Sequence, residues 1–187
     1  IIYKALKESK ININDIDGIA ATAGPGLIVC LTVGLSTAKA IAASLNKPLI
    51  AVNHLEGHAL SPKIIKKINF PYLLLLISGG HTQFLEVMGV NNYIRLGTTI
   101  DDAVGEAFDK TAKLLGIEFP GGPIIEEFAK KGNENYFILP KPIIHKGGCN
   151  LSFAGLKTAV LKISKKIKKK EEKYHLAASF QKTIEDI

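Results

Sequence analysis

Apolar and polar positions along the chain switch repeatedly between helical and strand spacing. Residues 1 to 9, "IIYKALKES", carry the pattern of a helix end. A polar turn then leads into an apolar strand at about 16 to 23. "GPG" at 24 to 26 follows, and Gly24 and Gly26 allow backbone angles that other residues avoid. Over about 31 to 46, Val33, Ala40, Ile41 and Leu45 supply an apolar helical stripe and the small residues a packing face, with Pro48 just beyond as a stop. "PLIAVN" reads as a short buried strand. Strand, glycine turn, helix and strand form a βαβ unit, which predicts a parallel pair.

"NHLEGHAL", 53 to 60, reads as a helix, and "INFPY" as the crossover into a second domain. "YLLLLISGG" and "TQFLEVMG" follow as two strands joined by "SGGHT", with "YIRLGT" a third. "DDAVGEAFDKTAKLLG" predicts a helix with acidic residues in its first turn and Gly116 at its end. "FPGGP" reads as a rigid turn and "IIEEFAKKG" as another helix. Residues 133 to 150 are loop-rich, and two further helices close the chain, in "SFAGLKTAVLKISKKIKK" and "YHLAASFQKTIEDI". The pattern divides the chain into 1–69 and 70–187. Both ends fall inside helical patterns, so the chain is expected to be truncated at both ends.

Composition narrows this little. Hydrophobic residues make up 47% of the 187, enough to bury a core. The longest unbroken apolar run, "YLLLLI", is strand length, so no bilayer-spanning segment and no membrane partner is expected. No basic segment precedes an apolar one at the N-terminus, as a secretory signal would require. Cys30 and Cys149 have no metal or redox spacing and read as reduced thiols of a cytoplasmic protein. The net charge of +7 is concentrated in "KISKKIKKKEEK", 162 to 173, with seven lysines. That run is either a solvated helix end or a patch that attracts phosphate backbones.

The candidate chemistry lies in short segments. His54 and His58 are four apart, so on a helix they share a face and can both reach one cation. A zinc protease needs His-Glu-x-x-His, but here Glu56 lies two after His54, roughly 200° around the helix. It points away, and two histidines leave a metal short of ligands.

In "ISGGHT", Gly79 and Gly80 expose backbone N–H groups that suit a phosphate oxygen, and Ser78 and Thr82 can add hydroxyl donors; an ordinary hairpin turn is the alternative. Asp101, Asp102, Glu106 and Asp109 fall on the first turns of one predicted helix, with Asp102, Glu106 and Asp109 on one face. Asp109 sits deep enough that a dipole role weakens, and it can accept bonds from ribose hydroxyls. "PGGP", 120 to 123, lets a ligand pack on bare backbone or is a plain loop. Ser152 can cap the helix of "SFAGLKT", and Lys157 is a phosphate partner or a surface lysine.

In series, "TAGPGL", "NHLEGHAL", "SGGHTQ", "IDDAVGEAFDKTAKLLG", "PGGP" and "SFAGLKT" resemble the bacterial tRNA N6-adenosine threonylcarbamoyltransferase (TsaD/Gcp) family, formerly described as a glycoprotease. The resemblance covers essentially the whole chain. It implies an α/β fold of the actin-like, sugar-kinase and heat-shock ATPase (ASKHA) type, with two α/β lobes around a cleft. Residues 1–69 would be the C-terminal part of the first lobe, with the histidine helix. Residues 70–187 would be the N-terminal part of the second, with the glycine-rich phosphate hairpin and a helical insertion.

The resemblance further implies that His54 and His58 bind a metal, iron or zinc (Fe or Zn), one ion per subunit. It implies substrate binding by Leu76, Ile77, Ser78, Gly79 and Gly80, and nucleotide contact by Asp109 and Gly122. The family moves the threonylcarbamoyl group of threonylcarbamoyl-AMP to N6 of the adenosine beside the anticodon, in tRNAs reading codons that start with A. A TsaB-like paralogue and a TsaE-like ATPase are its implied partners. The family's N-terminal strand pair, and a C-terminal part carrying a further metal-binding aspartate, have no counterpart here, so this stretch alone is expected to be inactive. A non-catalytic dimer partner of the same fold is the alternative; such paralogues typically lack the histidine pair. The residues name no general base.

Overall fold

The computed structural model describes residues 1–187. The chain forms two compact units, Ile1–Ile68 and Asn69–Ile187.

The first unit is a βαβ element with short helices around it. After α1 (Ile2–Ser9), strand β1 (Ile19–Gly24) leads through the glycine turn to α2 (Ile28–Leu45), which returns to β2 (Leu49–Asn53). The strands pair parallel, in register from Ile19 with Leu49 to Thr22 with Val52, and the register shifts before Gly24 meets Asn53. Gly24 has φ +156°, a value that side-chained residues rarely adopt. Helix α3 (His54–Leu60) starts directly at the end of β2, and α4 (Pro62–Ile65) follows. Only Ala38, Ala42 and Ala59 are fully buried in this unit. The expectation of a buried strand at "PLIAVN" is therefore corrected: the strand forms, but Ile50 is 61% exposed, because a two-stranded sheet with one packed helix covers few side chains.

A second correction concerns α2. By length and composition it is apolar enough to cross a bilayer, with mean hydropathy 1.7 over 18 residues. Its Gly, Ala, Ser and Thr interrupt any run of large apolar side chains, which is why no such segment was expected. The same composition fits a helix packed closely on a strand, and α2 lies along β1.

The second unit holds an antiparallel meander, β3 (Tyr72–Ile77), β4 (Thr82–Gly89) and β5 (Asn92–Thr98), in that order. Cys149 to Leu151 ride along β5: Leu151 pairs with Thr99, and the backbone at Cys149 approaches so closely that only a glycine fits at Gly97.

Four helices then build the core: α5 (Val104–Leu115), α6 (Gly121–Ala129), α7 (Ala154–Ser164) and α8 (Lys170–Asp186). Helix α5 buries Val104, Ala107, Thr111, Ala112 and Leu115, the one-sided spacing of an amphipathic helix, and ends at Gly116 in the left-handed conformation. Ile125, Leu156, Val160, Leu176 and Phe180 are fully buried against this face, and Phe108 meets Phe180 edge-on at 5.1 Å.

Two segment expectations change. Helix α5 starts at Val104, so Asp101 and Asp102 precede it. "PGGP" is not a free-standing turn, because Gly121 and Gly122 form the first turn of α6, with Pro120 at its N-cap. Proline and glycine suit a turn and a helix start equally well.

Candidate functional site

Two centres stand out, one in each unit. In the first, β2 delivers the chain to α3 at the carboxyl end of a parallel pair, where open α/β sheets tend to bind ligands. Asn53 caps α3, its Oδ1 accepting the N–H of Leu55 at 2.9 Å and of Glu56 at 3.4 Å. The cap fixes the helix start, and with it the direction of His54 in the first turn and His58 one turn on. Their Nε2 atoms lie 3.2 Å apart, and both residues are exposed.

Two imidazole nitrogens this close share either a hydrogen bond, one ring donating and the other accepting, or a cation held by both. Tetrahedral zinc with nitrogen ligands at about 2.0–2.1 Å sets a nitrogen–nitrogen separation of about 3.3 Å, so the donor pair fits a shared metal. No third His, Cys, Asp or Glu joins them as a possible ligand. Glu56 accordingly forms no protease-type cluster with the pair.

The second centre is the turn between β3 and β4. Ile77 pairs with Thr82, leaving Ser78 to His81 as the loop. Ser78 N–H donates to His81 O at 2.8 Å, and Ser78 Oγ accepts the N–H of His81 at 3.0 Å and of Gly80 at 3.3 Å. The expected anion nest is thus partly closed by the serine, because Gly80 N–H already has a partner.

The Thr82 reading is also corrected. Thr82 is buried, and its Oγ1 accepts the Val104 N–H at 2.9 Å, where a buried helix start needs an acceptor. The same contact brings α5 against the turn. A Cβ on Gly105 would lie 2.8 Å from Ser78 O and 2.9 Å from Gly79 Cα.

This packing leaves a cavity of about 350 Å³ whose walls include Gly79, Glu106, Asp109, Lys110, Lys113 and Gly121. Gly79 and Asp109 therefore share one pocket. Asp109 Oδ1 accepts the Gly121 N–H at 2.9 Å, tying α5 to α6 at the pocket edge. Gly121 itself is a packing residue, since a Cβ there would lie 2.2 Å from that of Ala112. A Cβ on Gly122 would meet nothing within 4 Å, and Gly122 does not line the cavity. Leu76 is buried in β3 opposite Gln83, so its side chain is not presented to a ligand, whereas Ile77 is exposed.

The acidic residues do not act together. Asp102 Oδ1 and Glu106 Oε1 hold the Lys110 ammonium at 2.6 and 2.7 Å. Hydrogen bonds to those two carboxylates raise the Lys110 pKa and keep it cationic. Asp101 serves α7 instead. Its Oδ1 accepts the N–H of Phe153 at 2.7 Å and of Ala154 at 3.2 Å, and Ser152 Oγ donates to its Oδ2 at 2.5 Å. Ser152 is therefore not the cap; it helps hold the residue that is.

Composition and spacing did not single out Gly105, Lys110 or Lys113. The i, i+4 spacing of Glu106 and Lys110 was the available signal for one of them.

The family model of TsaD, tRNA N6-adenosine threonylcarbamoyltransferase, matches residues 1–187. The chain belongs to this family. Among relatives carrying the name tRNA N6-adenosine threonylcarbamoyltransferase, that of Pelagibacter ubique (strain HTCC1062) is 76% identical over 187 residues, 100% of this chain and 52% of the relative. That of Rhizobium johnstonii is 53% identical over 98% of this chain and 51% of the relative. That of Wolbachia pipientis wMel is 53% identical over 100% of this chain and 56% of the relative. The chain spans about half the length of the curated relatives it matches. Within the threonylcarbamoyltransferase family, the mixed α/β structure described above is that of the stretch carrying both candidate centres.

Proposed function

We propose that this chain is part of an enzyme that transfers the threonylcarbamoyl group from threonylcarbamoyl-AMP to N6 of the adenosine 3′ of the anticodon in tRNAs that read codons starting with A. The proposed fold is the ASKHA type. The observation that carries the reading is the 3.2 Å approach of His54 and His58 in a chain that matches the family along its whole length.

His54 and His58 would hold the metal, iron or zinc. A cation there would supply Lewis acidity toward a carbonyl oxygen. The remaining work falls to the chain's own residues. Gly79 leaves the pocket wall without a side chain, so a phosphate or sugar can approach the backbone. Asp109, with Oδ1 fixed by Gly121, presents Oδ2 as an acceptor for a ribose hydroxyl. Lys113 is the lysine of this wall that can meet an adenylate phosphate, because Lys110 is already held by Asp102 and Glu106. Leu76, Ile77, Ser78 and Gly80 set the turn that carries Gly79, and Gly122 offers bare backbone at the start of α6. The adenosine amine attacks the carbamoyl carbon, the bond from that carbon to the phosphate oxygen breaks, AMP leaves, and the amine proton passes to solvent.

A TsaB-like paralogue and a TsaE-like ATPase are the proposed protein partners, and the cytoplasm the proposed compartment. Two free, exposed cysteines support a reducing environment.

The test uses the full-length protein with threonine, bicarbonate, ATP, unmodified tRNA and the partner enzymes. N6-threonylcarbamoyladenosine should form, and His54→Ala should abolish it. Absence of product with the unsubstituted protein sinks the transferase reading, and product at the normal rate with His54→Ala sinks the metal role.

A further inference from the structure

The lysines of 162–173 stand on a fixed base. Five residues, 165–169, join α7 to α8. Ile163 and Ile167 turn inward and pack against the core of the second unit, which anchors both sides of the junction. Lys162, Lys165, Lys166, Lys168, Lys169 and Lys170 are all exposed. The ion pairs of the chain lie elsewhere. Glu172 Oε2 is occupied by backbone, accepting the N–H of Lys168 at 3.0 Å and of Lys169 at 2.9 Å. Lys168, Lys169 and Lys170 also stand at the N-terminal end of α8, where the helix dipole disfavours cations. Glu171 and Glu172 in the first turn of α8 offset part of this charge, and the six lysines leave the junction with a net positive charge.

We infer that this α7–α8 junction docks the phosphate backbone of a structured RNA. The inference rests on the reading of tRNA as substrate and adds a contact apart from the Asp109 cavity, whose walls include none of these lysines. The chemistry selects the partner. Lysines are point charges that neutralise phosphates without the planar fork that reads a base edge. The neighbouring ring, Tyr174, is engaged edge-on with Phe128 at 4.9 Å, with Lys131 over it at 5.9 Å, so it is not offered to an unpaired base. A stem is favoured over a single strand. Insertion into a membrane as an amphipathic helix requires an apolar face beside the basic one, and the two isoleucines of this run face the core.

The experiment measures tRNA affinity of the full-length protein against salt concentration, for the unsubstituted protein and for the combined Lys165→Gln, Lys166→Gln, Lys168→Gln and Lys169→Gln variant. Each lost phosphate contact removes about 0.7–0.9 from the slope of log K against log salt. A slope shallower by about 2–3 is expected, so that the affinity gap to the unsubstituted protein widens by about 100- to 1000-fold for each tenfold drop in salt. The corresponding four-arginine variant keeps the charge and should keep the slope. Unchanged affinity and slope in the glutamine variant overturn the inference. So does loss of binding to phosphatidylserine vesicles with tRNA binding intact, which would assign the surface to a membrane. A glutamine variant with the full slope, in a protein that still makes product, removes the docking surface and leaves the transferase standing. A shallower slope in the glutamine variant, where the unsubstituted protein makes no product, does the reverse.

Discussion

Asp101 Oδ1 accepts the backbone N–H of Phe153 at 2.7 Å, across 52 residues of chain, and so caps a helix to which it does not belong. Burial alone would raise the Asp101 pKa. Hydrogen bonds from Ser152 and from the N–H groups of Phe153, Ala154 and Asp102 outweigh burial and hold it below the ordinary carboxylate value. Because the folded value is the lower one, the stabilisation is complete above the unfolded pKa of about 3.9 and fades as pH falls through the folded value. Asp101→Ala should cost about 0.5–1 kcal/mol near neutral pH, the lower part of the helix-cap range, because Asp101 is exposed and water screens its charge. The difference from the unsubstituted protein should shrink below about pH 4. Urea unfolding across that range checks both; a constant difference down to about pH 2 would contradict the assignment.

His54 and His58 supply two donors to one proposed site, so their loss should not add. Each single alanine variant of the full-length protein should lose nearly all bound metal, and the double variant should look the same. Metal content measured by mass spectrometry of the purified proteins decides this. If the two single losses are partial and sum in the double variant, the histidines act at separate sites.

Thr82 and Val104 give a cleaner case of a buried partner. Thr82→Val keeps the shape of the side chain but leaves the Val104 N–H without its acceptor. The expected cost is about 1–3 kcal/mol, with Thr82→Ser losing only its buried methyl group, about 1 kcal/mol. Amide exchange at Val104 should quicken in the valine variant and not in the serine variant. Equal stabilities for the two would show that the hydroxyl is dispensable.

These contacts mark where sequence reading succeeds and stops. The βαβ unit, the β3–β4 hairpin and the helices from α5 to α8 are legible because each is set by periodicity within a few residues. The histidine pair is legible for the same reason, since i, i+4 spacing on a helix places two side chains together whatever surrounds it. Asp101 was misread because its neighbours suggest the start of α5, while its actual partners lie on α7. Thr82 looks like an exposed turn hydroxyl until α5 is seen to start on it. The exposure of β2 was equally invisible, because a strand pattern does not say how much of the sheet a single helix covers.

Two glycines at the second centre separate folding from binding. A Cβ on Gly105 would strike the backbone of Ser78 and Gly79, neither of which is a flexible side-chain end. Gly105→Ala should push α5 off the turn, at a cost of about 1–3 kcal/mol, and weaken adenylate binding through the displaced Gly79. Gly122 is different. It lies in the first turn of α6 with no atom near its missing Cβ, and its φ is not in the left-handed region. Gly122→Ala should therefore leave stability unchanged or raise it by up to about 1 kcal/mol, as the unfolded chain loses freedom. If a nucleotide packs on that bare backbone, the same methyl group should weaken binding of a non-hydrolysable threonylcarbamoyl-AMP analogue by about tenfold or more. Calorimetric titration and thermal unfolding of both variants resolve the pair. A Gly122→Ala protein that is stable and binds the analogue normally removes Gly122 from the nucleotide site, while the Asp109 pocket, which does not depend on it, remains.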